Sequence, residues 1–350
     1  MEQRTPEEEI AYRRYLRKRI RMRKRRRKVY IVRAVTGVVA LLFLALVFVG
    51  IRGIVHVVSG GGTKKEAAEK PKETPLVVDI PEGYEGIYKK LFAMRKDYDQ
   101  VDDILISMSR YPKEILRLAI KNPETIDFVS DYLKHVDDDK ASGEITEEEM
   151  SQVVPLFIQW DKRWGYVKYG NSIVAIDGCG PTCMSMVYTG LTEKSDMSPA
   201  EMADYCTEKD YYTTDAGTSW TLMTTGAENL GLSVEKLDLK ADTVKERLKS
   251  GHPLICSMKP GDFTSEGHFI VLRGITDDEK LLVNDPNNKA HSDKEWDFDT
   301  VFDQMKALWA YSYEGAQDSG DSGENQGEAS GEGQTDETDN SAAGEAERAE

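Results

Sequence analysis

The stretch Asp177-Gly178-Cys179-Gly180-Pro181-Thr182-Cys183-Met184-Ser185-Met186-Val187 constrains this chain more than any other. Proline is tolerated in the first turn of a helix, where its missing N–H would be unpaired anyway. Glycine lets the backbone bend sharply just ahead of it. Met184, Val187 and Leu191 then recur at helical spacing, which predicts a helix with Cys179 at its N-terminal mouth. Unpaired N–H groups and the positive end of the helix dipole meet there, and both favour a thiolate. The same N–H groups can hold an oxyanion. Cys179 is therefore the candidate nucleophile. The competing reading of a free cysteine is a small buried hydrophobe, and Cys183, one turn on and inside the apolar stripe, fits that reading. A Cys179/Cys183 metal pair lacks the second cysteine or histidine pair of such sites, so neither a metal nor an organic cofactor is expected.

The charge of the chain is unevenly spread. Its net −16 hides a basic start, where residues 1–33 carry 14 Lys/Arg against 4 Asp/Glu, and an acidic end, where residues 314–350 carry 12 acids and one Arg. Behind the basic segment, Ala34–Ile51 is 18 residues without a charge, about 27 Å as a helix and close to the thickness of a bilayer core. With Gly53–Val58 extending it, the run 34–58 is expected to be an uncleaved transmembrane signal anchor. A cleavable signal has a shorter apolar core and a small-residue cleavage site soon after it. The basic flank then places residues 1–33 in the cytoplasm and the rest of the chain outside. That flank reads as a topology signal and a contact for anionic membrane lipid, not as a nucleic-acid arm.

The chain's 350 residues leave room for about two domains. Residues 59–80 are a Gly, Lys, Glu and Pro linker. Residues 81–136 read as a small helical region: Ile87, Leu91 and Met94 share a face, Ile104, Ile106 and Met108 follow, and Pro112 and Pro123 each open a helix. It is expected to be a stalk or docking element without chemistry of its own. Residues 137–152 form an acidic linker, 153–313 the main domain, and 314–350 an acidic tail without an apolar run.

A cysteine nucleophile needs a base. His268 opens the run Gly267-His268-Phe269-Ile270-Val271-Leu272-Arg273-Gly274, and Lys280–Val283 is a second strand that ends in Asn284-Asp285-Pro286. Thr276-Asp277-Asp278-Glu279 between them reads as a tight turn. Antiparallel strands joined in that way bring His268 and Asp285 together, supplying base and orienting acid. His252, before Pro253 and the strand Leu254-Ile255-Cys256, is the runner-up base. His291 lies in a polar loop, and His135 near a helix end. Cys206 and Cys256 either pair or stay buried thiols. Most of Trp160, Trp164, Tyr166, Tyr169, Tyr211, Tyr212 and Trp220 are expected in the core or at its rim rather than in a peptide cleft.

With these motifs in order, together with Gln159-Trp160-Asp161-Lys162-Arg163-Trp164, Gly217-Thr218-Ser219-Trp220, Gly251-His252-Pro253 and Pro260–Thr264, residues 153–312 resemble the cysteine peptidases similar to bacteriocin double-glycine leader peptidases, within the papain-like superfamily. The resemblance implies an α+β fold in which a nucleophile helix packs on an antiparallel sheet. It also implies Cys179 as nucleophile, His268 as base and Asp285 as orienter. In that family the oxyanion glutamine sits about six residues before the cysteine, where this chain has Ser172-Ile173. Gln159 is the expected substitute, since its amide N–H₂ can donate. No Gly-x-x-x-x-Gly-Lys-Ser/Thr loop of a fused exporter occurs.

The expectation is a single-pass membrane protein whose extracellular domain hydrolyses a peptide or protein substrate. The same acyl-enzyme could instead serve a cell-wall amidase or transpeptidase. A third reading is an inactive peptide-binding scaffold of the envelope. The oligomeric state is left open.

Overall fold

The structure, a computed structural model, describes residues 76–214 and 217–314. The expected anchor at 34–58, the basic segment before it, residues 59–75 of the linker and the tail beyond 314 lie outside the described residues. No helix among the described residues is long and apolar enough to cross a membrane.

The first part is helical. Helices α1 (Glu85–Met94), α2 (Val101–Ile106), α3 (Lys113–Lys121) and α4 (Ile126–Asp131) follow one another, with short 3-10 turns between α2 and α3 and between α3 and α4. Pro112 stands just before α3 with φ −58° and ψ 145°, and Asn122 caps the turn Pro123–Thr125 by accepting the Glu124 N–H at 3.1 Å. Ile87, Leu91, Ile104, Leu105, Met108 and Leu116 are buried. Ile106 is 56 % exposed, against the face expected for it; residues two apart on a helix point about 200° apart, so burying Ile104 turns Ile106 outward. This core is not closed on itself. Ile158, Trp160, Tyr166 and Ala175 complete it. The Tyr166 ring stacks on Phe128 at 4.1 Å and its hydroxyl donates to the Phe128 carbonyl at 2.9 Å. The helical segment is thus docked on the main domain and does not stand off as a stalk.

The acidic stretch before the main domain is also tied down. Arg163 donates to both carboxylate oxygens of Glu149, to Asp161 and to the Glu144 carbonyl. The short helix Glu147–Met150 carries a capping box between Thr146 and Glu149. One arginine therefore holds a run whose composition reads as a solvated linker.

The main domain is α+β. Strands β1 (Ser233–Leu237), β2 (Leu254–Met258), β3 (His268–Ile275), β4 (Leu281–Asn284), β5 (Glu295–Trp296) and β6 (Met305–Ser312) form a six-stranded sheet in the order β1-β6-β2-β3-β4-β5, every pairing antiparallel. Alternation along the central strands sends Ile255, Phe269, Val271, Trp309 and Tyr311 to one face and Leu254, Cys256, Ile270, Leu272 and Leu308 to the other. Both faces are covered, which is why these strands read as unbroken apolar runs. Helix α5 (Cys179–Thr192), with α6 (Pro199–Glu208) beside it, packs on the first face; α7 (Ala241–Lys249) and the helix Phe298–Phe302 cover the second.

Helix α5 is buried from Gly180 to Gly190, not along a single stripe as its sequence suggests. Sheet, α6 and the segment at Val153–Val154 enclose it; a Cβ on Gly190 would lie 2.6 Å from the Val153 carbonyl oxygen. Chain reversal after it runs through Glu193 in the left-handed region, φ 62°.

Candidate active site

Cys179 opens α5, and the two glycines around it leave no room for side chains. A Cβ on Gly178 would fall 2.4 Å from the Val174 carbonyl oxygen, and one on Gly180 would meet Thr218 at 2.6 Å. This close approach seats the short strand Gly217–Thr218 against the helix mouth. Gly217 adopts φ +69° there, a left-handed conformation suited to glycine, and Thr218 is held by a 2.8 Å hydrogen bond to the Tyr169 hydroxyl. Cys179 is partly exposed. Cys183, one turn deeper, is fully buried, and burial pushes its thiol well above the usual range. Two cysteines on one helix therefore differ in access, and only the first can reach a substrate.

His268 opens β3, and Asp285 follows the last residue of β4. The turn between the strands is closed by Thr276 and Glu279: the Thr276 N–H donates to the Lys280 carbonyl at 2.9 Å, and Glu279 sits at φ 61°. It returns β4 antiparallel to β3 with Val271 opposite Asn284. The start of β3 thus lies beside the end of β4, and His268 Nε2 is 2.8 Å from Asp285 Oδ1. A carboxylate only accepts, so Nε2 carries the proton. Cys179 is near enough to the same imidazole to favour its charged form, and Nδ1 is the ring nitrogen that Asp285 leaves unengaged.

Electrostatics at the pair oppose and outweigh burial. Burial disfavours charge on His268, yet the charge and hydrogen bond of Asp285, with Cys179, raise the imidazole well above its ordinary pKa. Burial likewise favours the neutral form of Asp285, but the His268 charge, hydrogen bonds from His268 and His291, and the Asn287 N–H hold its carboxyl down to about 2. A charged imidazole locked to a carboxylate beside a cysteine at a helix N-terminus is an arrangement that can stabilise a thiolate and shuttle one proton.

Asp285 has more partners than its neighbours in sequence suggest. The Asn287 N–H donates to Oδ1 at 2.9 Å, and His291 Nδ1 lies 2.7 Å from Oδ2. His291 is not in the polar loop expected for it but in the short helix α8 (Lys289–Asp293), whose cap is the Asn288 side chain accepting the His291 N–H at 2.9 Å. That capping asparagine, three residues ahead of the histidine, is the one signal in the sequence that could have turned attention to it.

Gln159 is brought to the segment leading into Cys179, but its donor is already engaged. Nε2 gives its protons to the carbonyls of Ala175 at 2.8 Å and Ile176 at 3.3 Å. The opposite amide orientation would set Oε1 against two carbonyl oxygens, so the assignment follows from charge. Oε1, the free end, is buried without a partner among the described residues and is an acceptor, which cannot hold an oxyanion.

The other candidates fall elsewhere. His252 precedes Leu254, whereas Met258 at the far end of the same strand pairs with His268, so the whole strand, about 14 Å long, lies between His252 and the cluster. His135 stacks on Tyr166 at 4.3 Å. Cys206 and Cys256 are both free thiols and buried, so no disulfide joins them. Trp160, Trp164, Tyr166, Tyr169 and Tyr211 are buried, and Trp220 is 38 % exposed. Among the described residues no group of three or more His, Cys, Asp or Glu is placed to hold a metal ion.

Residues 151–317 match the model of the Peptidase_C39 like family. The match spans the sheet, α5 and every residue of the cluster above, and leaves the helical segment outside. This part of the chain is therefore similar to the papain-like cysteine peptidases, and the family points to cysteine peptidase chemistry. No curated protein matches the chain.

Proposed function

We propose that the chain is a membrane-anchored cysteine peptidase whose domain from 153 to 313 cleaves peptide bonds outside the cytoplasm. The observation that carries this reading is the grouping of three side chains: Cys179 at the mouth of α5, His268 near enough to it for the two to interact electrostatically, and Asp285 on His268 Nε2 at 2.8 Å. In this reading the Cys179 thiolate attacks the substrate carbonyl carbon, and the negative charge passes to the carbonyl oxygen. The Cys179 N–H at the helix N-terminus takes up that charge. His268, already protonated, gives its proton to the leaving amine as the C–N bond breaks, which leaves an acyl-thioester. It then takes a proton from water, whose hydroxyl attacks the thioester and regenerates the thiolate, with Asp285 holding the imidazole throughout. Gln159 fits a different part than the one expected: with its protons on Ala175 and Ile176, it braces the backbone just ahead of the nucleophile.

The anchor rests on sequence alone: 18 uncharged residues behind a strongly basic segment. Single cysteines placed at residues 10 and 65 of a cysteine-free chain test it. A membrane-impermeant maleimide should label residue 65 and not residue 10 on intact cells; the reverse, or loss of both from the membrane fraction, rejects the anchor.

For the chemistry, iodoacetamide labelling of each cysteine is followed against pH in the full chain and in His268→Ala. Labelling focused on Cys179 at a pH where ordinary thiols are protonated, and lost without His268, supports the ion pair. Slow labelling of Cys179, indifferent to His268, overturns the peptidase reading.

A further inference from the structure

We infer that His291 is a positioning residue for the proposed reaction: it holds the second oxygen of Asp285 so that the first stays on His268. The inference rests on the peptidase reading above. Asp285 is 1 % exposed, so bulk solvent does not reach its carboxylate. Oδ1 receives His268 Nε2 and the Asn287 N–H, at 2.8 and 2.9 Å. Oδ2 receives His291 Nδ1 at 2.7 Å, its one hydrogen-bond partner among the described residues. A buried carboxylate with an empty oxygen can turn about its Cβ–Cγ bond and present either oxygen, or neither, to the imidazole. His291 removes that freedom.

Its own placement is overdetermined, as a positioning group requires. The His291 N–H donates to Asn288 Oδ1 at 2.9 Å, and its carbonyl accepts from Trp296 Nε1 at 2.9 Å. The ring meets Phe263 at 76° and Trp296 at 81°, both edge-on. To donate to a carboxylate, Nδ1 must carry the proton, so the neutral ring is the Nδ1–H tautomer. The charged groups nearby are otherwise occupied. His268 is on the other oxygen of Asp285, and Asp262 on Gln304. Lys289 lies over Trp160 and Lys294 over Trp296, and Asp293 lies on α8 itself. None of them substitutes for His291 on Oδ2.

The test compares the full chain with His291→Phe, which keeps an aromatic ring between Phe263 and Trp296 but has no donor, and with His291→Asn, whose amide N–H falls near the place of Nδ1. The readout is the pH profile of Cys179 alkylation, with His268→Ala as reference. The expected result is a rate about tenfold lower for His291→Phe near pH 6, an inflection moved toward that of an ordinary thiol, and most of the rate restored in His291→Asn. A His291→Phe profile superimposable on that of the parent, while His268→Ala still abolishes fast labelling, overturns the inference and leaves the peptidase reading standing. A parent rate that ignores His268 overturns both. Should His291→Phe not fold, nitrogen-15 NMR of the histidines in the unaltered chain decides: a protonated Nδ1 on neutral His291 supports the inference, and a bare Nδ1 with protonated Nε2 rejects it.

Discussion

Asn122 donates its side-chain amide to the Asn287 carbonyl at 2.5 Å, and the Asn287 N–H in turn donates to Asp285 Oδ1 at 2.9 Å. The helical segment is thereby one residue removed from the proposed acid. It meets the same loop again where the Lys289 N–H donates to Glu124 Oε2 at 3.0 Å, and it meets the loop before His268 where Lys121 lies 3.8 Å from Glu266. Trp160 adds a second donor to the Asn287 carbonyl at 2.9 Å.

Asn122 is buried, so Asn122→Ala removes an amide that water cannot replace, while Trp160 keeps the carbonyl partly satisfied. We expect a stability loss of about 1–2 kcal/mol, read as a melting temperature about 3–6 °C lower for a unit of this size. Alkylation of Cys179 should slow by less than tenfold. An unchanged melting curve would show that the helical segment does not support the Asp285 loop.

The titration of the His268–Asp285 pair has a definite sign. His268 is raised in the folded chain, burial opposing but Asp285 and Cys179 prevailing. Its contribution is therefore complete below the unfolded value near ~6.5 and is lost as pH rises through the folded value. Asp285 is lowered to about 2 against burial; its contribution is complete above the unfolded value near ~3.9 and is lost as pH falls through the folded one. The pair thus stabilises most between roughly pH 4 and 6.5. Melting temperature measured against pH should show this plateau in the parent and a flatter curve in His268→Gln; parallel curves would sink the assignment.

Gly180→Ala places a methyl 2.6 Å from Thr218, which is buried and bonded to Tyr169. The strand Gly217–Thr218 must move off the helix mouth, at a cost of about 1–3 kcal/mol. We expect a lower melting temperature and slower Cys179 alkylation together. A variant with parent stability would mean that this contact is looser than the packing indicates.

Gln159→Ala leaves the carbonyls of Ala175 and Ile176 without their donor. A bracing role predicts a stability loss of about 1–3 kcal/mol and a fall in alkylation rate of less than tenfold. A donor to the oxyanion predicts the opposite balance, with stability nearly unchanged and peptide turnover down by about 10²–10³. Parallel measurement of melting temperature and turnover separates the two, and we expect the first.

What could be read from the sequence alone was local. The bend of Gly178 and Gly180 and the proline after them put Cys179 at a helix start. Two apolar runs joined by Thr276–Glu279 give an antiparallel pair, and the register of such a pair, once turned tightly, leaves His268 and Asp285 side by side. These are consequences of backbone conformation and of hydrogen bonding between near neighbours, which residue types state directly. Tertiary structure decided the rest. His291 reaches Asp285 because α8 folds back over the strand end, Gln159 spends its protons on a segment 16 residues away, and Asn122 meets Asn287 across 165 residues of chain. Burial of α5 on all sides and the docking of the helical segment have the same origin. Periodicity tells a residue which face of its own element it occupies; which element covers that face, and which buried polar group finds a partner there, is settled only when the surfaces pack.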